Sequence, residues 1–300
     1  MTGFSSDLPS GTVPIPPLPG WIGTVAAETE ESVAFRSGAA LAHLHLLLAA
    51  PLLPLALWRQ RLALIAAEHC VRLSGRGEGA RALRDALHLA KAGDEPGPAG
   101  AVLQAWLRAV ERPISVAVLT RALPDMTAER IALCLDAAGG TPVDRAARVI
   151  EAVLTDAPRA ETAALILADA ALAVALGWDH VLPLLAQGMT AREVRLRDEA
   201  LRLACHRSVA AAVGQAVPMA ADLARRAARL GQVAPKLRAK GAERAVALFL
   251  SRDALSPAAL AGDMQGSLSD RAARRLCERL VDLGALRELT GRDAFRLYGL

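Results

Sequence analysis

Apolar residues recur along most of this chain three and four positions apart, the spacing of a helix face, and do not alternate as strand residues would. Val143, Ala146, Ala147, Ile150, Val153 and Leu154 form one such stripe. It opens on Thr141-Pro142, a polar N-cap followed by proline at the first helical position. Thr127 opens another, with Ile131, Leu133, Cys134 and Leu135 apolar and Gly139-Gly140 as its stop. Similar patterns cover 58–73, 79–90, 99–110, 160–176, 192–205 and 219–230. Residues 36–235 are therefore predicted as a multi-helical, all-α body. No fixed period of recurring positions supports a repeat array.

Two stretches depart from this pattern. Residues 7–20 carry five prolines and two glycines, too few backbone donors for regular structure. Residues 1–35 thus read as a Pro-rich leader, partly disordered. Residues 39–58, AALAHLHLLLAAPLLPLALW, lack formal charge and are about as long as a membrane span. His43, His45, Pro51 and Pro54 argue instead for a buried helical hairpin that breaks at the prolines and packs on the helix starting near Trp58. No membrane partner is expected.

The pattern changes again after QVAPKLRAKG at 232–241, the best candidate boundary. Residues 242–250 read as a first helix, and Ser256-Pro257 caps a short second one. Gly266 supplies a turn, and Ser269 caps a third helix from Asp270 to Leu283, stopped by Gly284. Ala273, Leu276, Cys277, Leu280 and Leu283 form its apolar stripe. The final ALRELTGRDAFRLYGL is β-permissive and turns at Gly291-Arg292, which pairs Leu286 with Leu297, Glu288 with Phe295 and Arg287 with Arg296. Helix, short helix, turn, helix and one short hairpin predict that 236–300 is a winged helix-turn-helix. Its second paired helix would then enter the DNA major groove with Asp270, Arg271, Arg274 and Arg275, while Arg287, Arg292 and Arg296 serve the hairpin.

Charge supports an anionic partner at this end. Residues 1–191 hold 15 Lys/Arg against 19 Asp/Glu, and residues 192–300 hold 20 against 12. The expectation is a non-enzymatic DNA-binding protein. The alternative is an interaction scaffold whose winged helix docks a protein partner or a second copy. For DNA binding, the six arginines should lie largely on one accessible face.

Other chemistry is thinly marked. Cys70, Cys134, Cys205 and Cys277 are far apart and form no CxxC pair, so neither disulfides nor a zinc ribbon is expected, and a reducing cytoplasm is the simplest setting. Six histidines show no HExxH spacing, so no metal site or cofactor is assigned. Arg81 and His88 stand at a spacing seen in some helical ribonucleases, a third reading as a helical nuclease. No catalytic residue is assigned.

Several stretches together resemble one family. They are WRQRLAL (58–64), LRDALHLAKAGDEPGPAG (83–100), LGWDHVLPLLA (176–186) and LSDRAARRLCERLVDLGALRELTGRDAFRLYGL (268–300). The family is the uncharacterised bacterial domain of unknown function numbered 1403. This resemblance implies a bacterial cytoplasmic protein and carries over no activity, substrate or catalytic residue.

Overall fold

The Thr141 hydroxyl accepts the Asp144 backbone N–H at 3.2 Å, and the Asp144 carboxylate accepts that of Thr141 at 2.7 Å. This reciprocal cap satisfies two of the donors that every helix start leaves open. Thr127 caps its helix through Arg130 N, and Ser256 and Ser269 cap theirs through Ala259 N and Ala272 N. Local polar residues thus set where the chain becomes helical.

The computed structural model describes residues 15–23, 29–88, 95–237, 241–264, 268–292 and 294–300. Its helices are α1 (Gly20–Gly23), α2 (Glu30–Leu48), α3 (Leu55–Leu73), α4 (Ala80–His88), α5 (Gly97–Glu111), α6 (Val116–Ala122) and α7 (Ala128–Leu135). There follow α8 (Pro142–Asp156), α9 (Glu161–Ala175), α10 (Leu185–Gly188), α11 (Asp198–Val233), α12 (Ala242–Phe249), α13 (Pro257–Asp263) and α14 (Asp270–Asp282). Among the described residues the only sheet pairs β1 (Arg287–Glu288) with β2 (Tyr298–Gly299). The chain is mostly helical.

The core runs through all of these helices. α8 packs on α9, α3 on α5, and α2 lies along α11. The last of these is the spine: 36 residues, about 54 Å at 1.5 Å per residue. Segments 192–205 and 219–230, predicted as two helices, fall largely within it, after a 3₁₀ turn at Glu193–Arg195. Pro218 sits inside, where it removes a backbone donor and costs about 3 kcal/mol. Buried Val213, Ala216, Val217 and Ala220 flank it and hold the helix together from both sides. Trp58 adds a hydrogen bond from its indole N–H to Ala216 O at 3.2 Å.

The apolar stretch 39–58 breaks between Leu48 and Leu55, with Leu41, Leu44, Leu47, Leu53, Leu57 and Trp58 buried. Among the described residues no helix is long and apolar enough to cross a membrane. Within the stretch read as the leader, α2 starts at Glu30, where Thr29 and Ser32 form a capping box. Residues 1–14, Gly266 and Asp293 lie outside the described residues.

Candidate functional site

The terminal residues build their surface from an inside stripe. On α14, Ala273, Leu276, Cys277 and Leu280 are buried, and Arg271, Arg274, Arg275, Glu278 and Arg279 are exposed. Gly284, at φ +65, stops the helix in the left-handed conformation that favours glycine. Before α13, Leu255 forms an antiparallel bridge with Tyr298, exchanging both backbone hydrogen bonds at 2.9 Å. The β1–β2 pair therefore has a third, one-residue neighbour on its inner side.

The hairpin register differs from the predicted one. Arg287 pairs with Gly299 and Glu288 with Tyr298, three residues away from the expected Arg287–Arg296 and Glu288–Phe295 pairs. The connection is wider than a tight turn at Gly291-Arg292. Glu288 turns its carboxylate into the loop, where it accepts the N–H groups of Thr290 and Gly291 at 2.7 Å each. Phe295 takes a positive φ of 55° and points outward. The two arginines no longer repel across the ladder.

The seven predicted contact residues divide between two directions. Arg271, Arg275 and Arg287 are exposed, and among the described residues their side chains form no hydrogen bond or ion pair. Asp270 and Arg274 pair with each other at 3.3 Å and, with Glu278, line a cleft of about 740 Å³. His88 of α4, Arg296 and Tyr298 line it as well. Arg296 Nε donates to Arg292 O at 2.9 Å, and Arg292 Nη2 reaches Asp85 of α4 at 2.5 Å. Arg274 and Arg296 line the cleft and Arg292 meets α4, whereas Arg271, Arg275 and Arg287 do neither. Positions one apart on a helix point about 100° apart, which separates Arg274 from Arg275, and the β1–β2 loop folds onto α4.

Beneath this surface lies an ionic cluster that local sequence patterns did not mark. Asp253, in the turn between α12 and α13, is buried. Arg84 of α4 donates to it twice, Nε to Oδ2 at 2.6 Å and Nη2 to Oδ1 at 3.0 Å. Arg61 of α3 also pairs with it and donates to Leu300 O at 2.9 Å, while Gln60 Oε1 accepts Asp253 N at 2.9 Å. Burial alone would raise the Asp253 carboxyl, but the Arg61 and Arg84 charges leave it below the usual range. Burial lowers His88, and Asp253 partly offsets that. Of the candidate nuclease pair, His88 belongs to this environment, whereas Arg81 is exposed at the start of α4.

A second cleft, about 760 Å³, opens between α2, the start of α8 and α11. Its walls are mainly apolar, and at its base Ser37 Oγ lies 2.5 Å from His206 Nδ1. His43 meets Pro16 O at 3.1 Å, and His45 accepts from the Trp178 indole at 2.9 Å. Among the described residues no group of three His, Cys, Asp or Glu side chains converges as a metal site would require.

The family model described as a protein of unknown function, DUF1403, matches residues 7–300. The chain belongs to the DUF1403 family. The match runs through the body and the terminal residues alike, so the buried cluster joins two parts of one DUF1403 sequence. Curated proteins provide no match to it.

Proposed function

We propose that this DUF1403 chain is a non-enzymatic protein that binds duplex DNA through residues 236–300, folded as a winged helix-turn-helix. The observation that carries the reading is the Leu255–Tyr298 bridge. It adds a short strand, placed between the first and second helices, to the β1–β2 pair, so the order becomes helix, strand, helix, helix, two strands. In that arrangement α14 is the helix offered to the major groove. Its outward stripe supports the assignment: Arg271, Arg275 and Arg279 follow one another at four-residue steps, and all three are exposed.

Titration of a labelled duplex with the full chain at several salt concentrations tests the proposal. Binding should weaken steeply with salt, as expected when guanidinium groups displace counterions from phosphate. Absence of any complex at low salt would sink it.

A second reading, a protein-docking winged helix, is favoured by one observation. The terminal unit already uses Asp253 and Arg292 to engage a protein surface, that of α3 and α4. Failure to bind DNA would leave that reading in front.

A further inference from the structure

The β1–β2 loop sets its arginine on the surface of α4, with the Arg292 side chain still 43% exposed. Arg292 reaches across to Asp85, whose side chain is only 17% exposed. His88, three residues from Asp85 on α4, lines the 740 Å³ cleft together with Asp270, Arg274 and Glu278 of α14. A winged helix places a duplex against its recognition helix and its wing together, and here the wing is tied to α4 through Arg292 and Asp85. The Arg271, Arg275 and Arg279 stripe and Arg287 are exposed and take no part in this contact.

We infer that the Arg292–Asp85 pair is an autoinhibitory latch, which holds the wing against α4 and keeps Arg292 from DNA. The inference rests on the DNA-binding reading. Two features make the latch releasable. Asp85 Oδ1 is buried with no hydrogen-bond partner, so the closed carboxylate is only half satisfied. The loop can also move without unfolding its base. Glu288 holds Thr290 and Gly291 at one end, and Leu289 N donates to Leu297 O at 2.8 Å across the two ends. Asp253 meanwhile keeps the rest of the unit on α3 and α4. Opening therefore swings Arg292 from a carboxylate to a phosphate, an exchange of one anionic partner for another.

The test compares wild type, Asp85→Asn and Asp85→Asn/Arg292→Ala for affinity to a random-sequence duplex across a salt series. Asp85→Asn should bind about 3- to 10-fold more tightly, the gain from releasing a partly buried ion pair that limits the competent population. Its salt dependence should steepen by about one unit, because one more arginine meets phosphate. The added Arg292→Ala change should abolish both effects. Binding by wild type with no gain in Asp85→Asn overturns the latch and spares the DNA reading. No binding by any of the three proteins takes both down.

A second measurement works in the opposite direction and covers a poorly folding Asp85→Asn. Asp85→Cys/Arg292→Cys joined by a short bismaleimide should bind DNA more weakly than the same protein left unlinked. The four native cysteines are buried, so the introduced pair offers the accessible thiols. Equal affinity of linked and unlinked protein overturns the latch.

Discussion

Arg84 grips Asp253 with two parallel hydrogen bonds, at 2.6 and 3.0 Å, although 169 residues separate them in the chain. Arg61 approaches the same carboxylate, so two guanidinium groups share one buried anion. Removing the anion strands both cations. Asp253→Ala is expected to destabilise the chain by about 3–5 kcal/mol, the usual cost of breaking a buried pair. Urea unfolding monitored by circular dichroism measures this; a loss below about 1 kcal/mol would show that the cluster is not structural.

The same carboxylate sets an acid limit. Its folded pKa lies below the unfolded value of about 3.9, so its contribution is present above that value and is lost as pH falls through the folded pKa. Stability should drop below about pH 4 in wild type, and the drop should be shallower in Asp253→Asn. Parallel acid profiles in the two proteins would remove Asp253 from the explanation.

Asp169 acts in the opposite sense. It is fully buried in α9 and accepts the N–H groups of Leu184 and Leu185 at 3.1 Å each. Burial pushes its carboxyl up to about 8, against those two hydrogen bonds. The proton is then held more tightly folded than unfolded, so this stabilisation is complete below about pH 3.9 and is lost as pH rises through about 8. Asp169→Asn should flatten that decline and cost about 1–3 kcal/mol at pH 5, because its amide leaves one backbone N–H without an acceptor. A thermal melt at each pH reads both effects.

On the DNA surface, Arg271→Ala/Arg275→Ala should weaken binding by about tenfold or more while leaving helical content unchanged, since both side chains lie off the buried stripe. Arg274→Ala in the wild-type background should do less, because Arg274 is paired to Asp270 and faces the cleft. Equal losses at Arg274 and Arg275 would mean that the α14 surface is presented differently.

Close packing supplies one further test. A methyl on Gly299 would come within 2.5 Å of Asp253 O and 3.1 Å of Leu289 Cδ1. Gly299→Ala should therefore destabilise by about 1–3 kcal/mol through overpacking. A mutant with an unchanged unfolding midpoint would show that the strand can shift at no cost.

The parts of this fold legible in the sequence were those written locally. Thr127, Thr141, Ser256 and Ser269 mark helix starts because an N-cap bonds within three residues, and Gly284 marks a stop by its own backbone freedom. Hairpin register was not legible. It depends on Leu255 bonding to Tyr298 and on the Glu288 carboxylate filling the loop, neither of which periodicity encodes. Asp253 and Arg84 were missed for a related reason. Each looks like an ordinary polar residue of a turn or a helix surface, and only distant chain segments brought together make them a pair.

That separation also orders events during synthesis. At about 5–20 residues per second, the helices bearing Arg61 and Arg84 would wait roughly 10–40 s for Asp253 to be made. Until then two guanidinium groups occupy a site with no carboxylate to neutralise them, which opposes early closure of α3 and α4 around it. The nascent body thus keeps an unfilled, positively charged socket, and arrival of the Asp253 turn is the step that completes it.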